Sequence, residues 1–352
     1  MTKVRALVVD DSATMRMLIA KTLGADPQIE VVGFAKDPIE ARAEIKRLDP
    51  DVITLDVEMP RMQGTEFLAH LMRLRPMPVV MVSTLTGPGT ATAIEALSIG
   101  AYDCFAKPSG TSTRAFDGLA AMVKEAAGAK RSIVALAARQ NESRQAAARP
   151  AAETAASGGP AAIVIAASTG GIEAISTVLS QWPKDCPPTF VVQHLPAGFT
   201  KGFAARLDAI SPAEVAEARD GERAARGRVY IAPAGASHLL VGGLHPACML
   251  RSADPVSGHR PAADVLFSSA ASAYGAELLG IVLTGMGADG AKGLLAIRKA
   301  GGATIGQDEA TSLVYGMPKA AFQLGAVERQ LPLARIAQAA FNLERAEASP
   351  CP

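Results

Sequence analysis

The sequence has no paired cysteines, no excess of charge of either sign and no long apolar run. Its four cysteines, Cys104, Cys186, Cys248 and Cys351, are far apart and form no CxxC, which argues against a thiolate zinc site or a disulfide framework and predicts reduced, buried thiols. Against 35 Lys and Arg stand 34 Asp and Glu, a net charge of +1, so the overall field favours neither nucleic acid nor an anionic membrane. No segment approaches the roughly 18 uninterrupted apolar residues of a membrane span. The opening MTKVRALVVDDSATM holds an apolar stretch too short for a signal core, with two aspartates straight after it. The expectation is a cytoplasmic protein with no membrane insertion.

What is present is an alternation of short strands and helices. At 352 residues the chain exceeds one core of roughly 150 residues, which suggests two domains. From Lys3 to Lys124 the β-branched runs VRALVVD, IEVVGFA, DVITLD, PVVMVST and AYDCFAKP are separated by helical patterns such as TEFLAHLMRL, the pattern of a parallel, doubly wound sheet. From Ala126 to Pro160, Ala, Arg, Gln and Ser dominate and no aromatic residue occurs, a linker composition that is part helical and part disordered. Alternation then resumes with AAIVIAAS, TFVVQH, RVYIAPA, HLLVGG, LLGIVLTG and ATIGQD, between helical stretches near 172–181, 199–209, 262–275, 291–300 and 332–347. The reading is two α/β domains, residues 3–124 and 159–347, joined by a linker over 125–158.

In the first domain Asp10 and Asp11 end strand one, Asp56 ends strand three, Ser83 and Thr84 end strand four, and Lys107 follows strand five. In a doubly wound sheet these ends open onto one crevice. Three carboxylates there repel one another unless a hard cation sits among them, and Mg²⁺ takes a few carboxylate oxygens while keeping waters for phosphate. An aspartate can accept a phosphoryl group as an acyl phosphate, with a lysine and a hydroxyl on the transferred oxygens; Asp56, Lys107 and Ser83 suit those roles. Taken singly, each has a structural explanation: Asp-Asp caps the helix, Asp56 caps the next turn, Lys107-Pro108 is a loop. Jointly, VVDDS, LDVEMPRMQG, MVSTLT and FAKPS resemble the receiver domains of two-component response regulators, which have a flavodoxin-like fold. The resemblance implies that a histidine kinase phosphorylates Asp56, that Asp10, Asp11 and Asp56 with the Glu58 carbonyl hold Mg²⁺, and that Ser83, Thr84 and Lys107 read the phosphate. Gln63 stands where such domains often carry Asp, outside the acid cluster.

In the second domain Ser168 ends AAIVIAAS, His194 ends TFVVQH and Asp289 lies just beyond LLGIVLTG. A serine hydroxyl needs a base such as imidazole, and imidazole needs a carboxylate to set its tautomer. The glycine-rich starts TGG and TGMGADG can offer backbone N–H donors to an oxyanion. Taken singly, each has a structural explanation: Ser168 as an N-cap, His194 as a strand-end histidine and Asp289 as an Asx-turn or cap. His70, His238, His245 and His259 stay structural or unassigned, with His259 a candidate to line the substrate crevice. A rival reading takes GMGADG, residues 285–290, as a dinucleotide fingerprint with Asp308 and Glu309 downstream. Against it, Asp289 would face the pyrophosphate at the helix N-terminus, and the motif comes late in its domain.

AASTGG, QHLPAGFT, HRPAADVLFSSAA, LTGMGADG and QDEATSLVYGMPKAA together resemble the chemotaxis receptor methylesterases, the CheB family of protein-glutamate methylesterase/protein-glutamine glutaminases, whose architecture also includes the receiver. The resemblance implies a Rossmann-like catalytic domain with Ser168 as nucleophile, His194 as general base and acid, Asp289 as its orienting carboxylate, the Met286 N–H as oxyanion donor and Thr169 beside the nucleophile. The order Ser, His, Asp, and Ala166 in place of the first glycine of a G-x-S-x-G elbow, separate it from the α/β-hydrolases. The implied activity is phosphorylation-activated hydrolysis of glutamate γ-methyl esters and deamidation of glutamines on chemoreceptors, with no cofactor for hydrolysis. The alternatives are a phosphorylation-gated binding module without catalysis, and an esterase acting on another substrate.

Overall fold

The structure is a computed structural model that describes residues 2–59, 62–83, 88–107, 116–145 and 159–342, and of residues 88–90 and 139–145 only the backbone. The chain divides into two units, residues 1–148 and 149–352.

The first unit runs β1 (Val4–Val9), α1 (Ala13–Gly24), β2 (Ile29–Ala35), α2 (Pro38–Leu48), β3 (Val52–Asp56), α3 (Gly64–Leu74), β4 (Val79–Ser83), α4 (Pro88–Ile99), β5 (Asp103–Ala106), α5 (Leu119–Gly128) and α6 (Lys130–Gln145). Its strands pair in parallel in the order β2-β1-β3-β4-β5. The chain therefore leaves β1 in opposite directions, and the switch point lies between the ends of β1 and β3, where Asp10 and Asp56 stand. The cap of α1 is Ser12, whose hydroxyl accepts the Met15 N–H at 3.3 Å. Asp10 only closes an Asx turn onto the Ser12 N–H at 2.9 Å, so capping does not explain the Asp-Asp pair. Gly64 opens α3 against the end of β3: a Cβ there would lie 2.0 Å from the Asp56 carbonyl oxygen. Helix α6 begins inside the residues read as linker, and Lys130 ties its first turn back to the first unit through Asp51 at 3.0 Å, with Ile133 buried beside it. Residues 146–158 lie outside the described residues.

The second unit runs β6 (Ala162–Ala167), α7 (Gly171–Leu179), β7 (Thr189–Gln193), α8 (Thr200–Ile210), β8 (Glu214–Glu217), β9 (Arg228–Ile231), β10 (Ser237–Gly242), β11 (Ala247–Ser252), α9 (Ala263–Tyr274), β12 (Leu278–Val282), α10 (Ala291–Lys299), β13 (Ala303–Gln307), α11 (Met317–Gln323), β14 (Arg329–Leu331) and α12 (Leu333–Phe341). Seven strands form a parallel sheet in the order β14-β13-β12-β6-β7-β9-β8. The two parallel α/β sheets match the expectation from strand and helix alternation. HLLVGG departs from it: β10 pairs antiparallel with β11 in a separate ribbon, and its Val241 N–H is held by Ser269 of α9. Strands β6, β7 and β12 are buried throughout rather than alternating, because helices cover both faces of the sheet. Phe190, Leu266, Phe267 and Leu294 share one core, each fully buried side chain adding roughly 1.5–3 kcal/mol. The switch point falls between β6 and β12, and Ser168 and Thr284 follow those two strands.

Among the described residues the thiols Cys104, Cys186 and Cys248 are free and buried. Burial pushes Cys186 up to about 11 and Cys248 up to about 12, which keeps both protonated. No helix among the described residues is long and apolar enough to cross a membrane.

The chain's one tryptophan, Trp182, is fully buried, donates to Thr189 Oγ1 at 3.1 Å and meets the Phe341 ring edge-on at 4.7 Å. Thr189→Val strands that indole N–H and should destabilise the second unit by about 1–3 kcal/mol. Urea unfolding followed by tryptophan fluorescence reads this unit alone; an unchanged midpoint would refute the assignment.

Candidate active site

Strands β6 and β7 deliver Ser168 and His194 side by side: Ala167 pairs with Gln193, and the His194 N–H donates to the Ala167 carbonyl at 3.1 Å. Asp289 arrives from the turn after β12, on the other side of β6. Its Oδ2 lies 2.8 Å from His194 Nε2 and accepts the Ala263 N–H at 2.7 Å; its Oδ1 accepts the N–H groups of Asp264 at 3.0 Å and Gly290 at 2.9 Å. Burial alone raises a carboxyl pKa, but the bonds from His194 and the Asp264 and Ala263 amides outweigh it and hold Asp289 below its ordinary value. With the imidazole N–H at Nε2 donated to this carboxylate, the lone pair lies on Nδ1. That nitrogen is buried without a hydrogen-bond partner among the described residues, so Ser168 Oγ is not bonded to it in this conformation. His259, unassigned from sequence, stacks on His194 with ring centroids 3.8 Å apart and planes 4° from parallel; burial and the neighbouring His194 both lower its pKa. His238 is structural: its Nδ1 accepts the Ala262 N–H at 3.1 Å and its Nε2 meets the Asp254 carbonyl at 3.0 Å, bracketing the segment that carries His259. His70 and His245 are exposed.

The turn after β12 presses on the serine. The Ser168 N–H donates to the Thr284 carbonyl at 3.0 Å, and a Cβ on Gly285 would lie 2.8 Å from Ser168 Cβ. The Thr284 hydroxyl donates to the Thr169 carbonyl and accepts the Val314 N–H, each at 3.0 Å. Gln307, buried at the end of β13, accepts the Thr284 N–H at 2.7 Å and donates to the Thr311 carbonyl at 2.7 Å. Met286 follows, its side chain 36% exposed and its N–H without a backbone acceptor among the described residues. Thr284, Gln307, the 311–317 segment and Gln193 lie in motifs that carry the family resemblance, but the sequence reading gives none of them a role of its own. The glutamines did carry a signal, since each is an amide ending a short uncharged strand, TFVVQ and ATIGQ. In this turn Asp289 already engages the Gly290, Ala263 and Asp264 amides and brings negative charge to them, which leaves the dinucleotide reading without its anion cradle.

In the first unit Asp10, Asp11 and Asp56 offer oxygens that all lie within 4.8 Å of one another. Lys107 Nζ stands 2.7 Å from Asp56 Oδ2 and 2.9 Å from Asp10 Oδ2. Burial pushes Asp56 up to about 6, with the Lys107 bond pulling the other way. Burial also disfavours the charged lysine, but its bonds to Asp56 and Asp10 outweigh this and hold Lys107 above its ordinary value. Asp10 Oδ2 is buried and faces the Lys107 ammonium alone among the described residues. Three carboxylates that share one lysine and offer only oxygens fit a hard divalent cation. The Glu58 N–H donates to Asp56 Oδ1 at 3.3 Å, which brings the Glu58 backbone to the pocket. Ser83 is buried at the end of β4, and Thr84 lies outside the described residues.

The family model described as CheB methylesterase matches residues 163–340, and that of the response regulator receiver domain matches residues 6–114. The chain is 52% identical over 349 residues to protein-glutamate methylesterase/protein-glutamine glutaminase 1 of Caulobacter vibrioides, covering 98% of this chain and 99% of that one. It is 51% identical over 343 residues to the protein-glutamate methylesterase/protein-glutamine glutaminase of Agrobacterium fabrum, covering 97% of each. The crystal structure of the Thermotoga maritima CheB methylesterase catalytic domain is similar over 53% of this chain and all of that one, at 38% identity and a TM-score of 0.51.

The raised Asp56 carboxyl has a consequence for stability. Between about 4 and about 6 the native state keeps a proton that the unfolded chain has released, so the first unit loses stability as pH rises through that window. Asp56→Asn removes the penalty. In metal-free full-length protein its first-unit transition, followed by circular dichroism, should gain up to about 3 kcal/mol over wild type above pH about 6, shrinking to nothing below about 4. A gap that does not change with pH would refute the buried-carboxyl account.

Proposed function

The chain belongs to the CheB methylesterase family, with a response regulator receiver domain ahead of the catalytic unit, and from that premise we propose how its two sites work. The enzyme hydrolyses glutamate γ-methyl esters and deamidates glutamines on chemoreceptors, and in the proposed mechanism Ser168, His194 and Asp289 carry both reactions. Ser168 Oγ attacks the side-chain carbonyl carbon while its proton passes to His194 Nδ1, and Asp289 stabilises the imidazolium through Nε2. The Met286 N–H meets the negative charge on the carbonyl oxygen. The carbon–oxygen or carbon–nitrogen bond then breaks, and His194 returns its proton to the leaving group as methanol or ammonia. Water, giving a proton to Nδ1, attacks the acyl-enzyme, releases glutamate and restores Ser168. The observation that carries this reading is the buried Asp289–His194 pair with Nδ1 left bare. Thr169, bonded through its carbonyl to Thr284, ties the nucleophile's turn to the oxyanion turn.

The receiver, residues 3–124, takes a phosphoryl group from a kinase phosphohistidine: an Asp56 oxygen bonds to phosphorus as the phosphorus–nitrogen bond breaks. Lys107, Ser83 and Thr84 meet the transferred oxygens. Asp10, Asp11, Asp56 and the Glu58 carbonyl are the residues that would hold Mg²⁺, which supplies neutralising charge when bound. Of the residues read as linker, 125–158, the first part is helical and tied to the first unit; the covalent connection still keeps the receiver at high local concentration relative to the catalytic domain, 159–347, so even a weak contact gates Ser168, and phosphorylation biases it toward release. The setting is the cytoplasm, where the substrate helices and the kinase lie.

Initial rates of methanol release from methylated receptor membranes test both halves. Ser168→Ala and His194→Ala should lose on the order of 10⁴-fold or more. Asp289→Asn should keep more activity while melting earlier, because it also disturbs the α9 cap. Near-normal turnover by folded Ser168→Ala would reject the nucleophile. No methanol from the wild type would favour a binding module, and turnover confined to other esters would favour a different substrate. A fragment of residues 155–352 should outpace the unphosphorylated full chain, a small-molecule phosphodonor with Mg²⁺ should stimulate only the full chain, and Asp56→Asn should abolish that stimulation. A slower fragment would overturn the gate.

A further inference from the structure

We infer that the Gln193 carboxamide is a positioning residue that locks the nucleophile's turn to the histidine's turn; this rests on the roles proposed above for Ser168 and His194. Gln193 is the last residue of β7 and only 2% exposed. The ladder between β6 and β7 ends where the His194 N–H meets the Ala167 carbonyl. Beyond that rung no strand bond joins the two reacting residues. The two hydrogens of Gln193 Nε2 span the gap: one goes to the Ser168 carbonyl at 2.9 Å, the other to the His194 carbonyl at 3.0 Å.

Two further features show that the carboxamide has a built place. Gly171, in the first turn of α7, lies against it: a Cβ there would fall 2.0 Å from Gln193 Oε1 and 3.0 Å from its Cδ, so any larger residue would displace the amide. Oε1 itself is buried with no hydrogen-bond partner among the described residues. Orphaned buried acceptors are destabilising and rare, and an apolar side chain would fill the position without one. The donor end is therefore what the site uses. His194 is anchored to Asp289 through Nε2, but its Nδ1 and Ser168 Oγ are not bonded to each other, so their approach depends on how residues 168 and 194 are held relative to one another. A misplacement of about 1 Å can cost about 100-fold in rate.

The test uses the full-length, phosphodonor-activated protein, with methylated receptor membranes and, separately, inactivation by phenylmethylsulfonyl fluoride, which reads serine reactivity without the receptor. Gln193→Met removes both bonds at similar volume. It should lower kcat about 10- to 100-fold with KM within about twofold, slow sulfonylation in parallel, and retain a native-like melting transition. Gln193→Glu keeps the shape. Its ionised form turns two oxygens toward the carbonyls and its protonated form donates one bond, so its rate relative to wild type should rise as pH falls from 8 to 6. A folded Gln193→Met with kcat within twofold of wild type overturns the inference. Should that variant not fold, a Gln193→Glu profile parallel to wild type does so instead. Ser168→Ala run alongside separates the outcomes: its retained activity would reject the triad itself, whereas its loss beside a fully active Gln193→Met would reject only the positioning role.

Discussion

The catalytic unit depends on one buried carboxylate being satisfied four times. Moving a carboxylate out of water costs several kcal/mol unless donors replace the solvent. Asp289 meets that cost with His194 and the amides of Ala263, Asp264 and Gly290. Those bonds also cap the start of α9, shape the turn after β12 and hold the imidazole with Nδ1 bare. Reading Asp289 as a helix cap and reading it as the partner of a catalytic histidine are thus descriptions of the same contacts. Its backbone donors are fixed by the fold, so the negative charge is present before any substrate arrives.

The receiver uses the same topological device with the opposite electrostatics. Asp56 also sits at a switch point, buried at the end of β3. Its partners are one lysine that it shares with Asp10, and a single backbone amide. Desolvation therefore wins, and the carboxyl is pushed up to about 6 rather than held down. A carboxylate saturated by backbone amides is committed to its place. One balanced against a lysine side chain and a second acid is held less firmly, which suits the acceptor role proposed for Asp56.

Much of this was legible because parallel sheets announce themselves. Strands covered on both faces are short, β-branched and wholly apolar, and the residues that interrupt them at their C-terminal ends, Asp10, Asp56, Lys107, Ser168 and His194, are where such sheets keep their chemistry. The illegible parts were of other kinds. β8, EVAE, and β14, RQL, are sheet edges too polar and too short to read. HLLVGG has strand composition but lies in the ribbon with β11, since alternation says nothing about which sheet a strand joins. Ser12 rather than an aspartate caps α1, because Asp10 is drawn into the acid pocket by Lys107.

From residue types and their order came the two α/β domains, the acid cluster and a serine, a histidine and an aspartate at strand ends; resemblance to the methylesterases is what singled out those three. The domains and the strand-end positions follow from local rules: hydrophobic period and the chemistry each side chain can perform. Only the tertiary structure decided which imidazole nitrogen faces the carboxylate, that His259 stacks on His194, and that Gln193 and Gln307 stitch the turns around the serine. Those are contacts between strand ends far apart in the chain, set by sheet order and by the rotation of single side chains. Nothing in the spacing of residues along the sequence encodes either one.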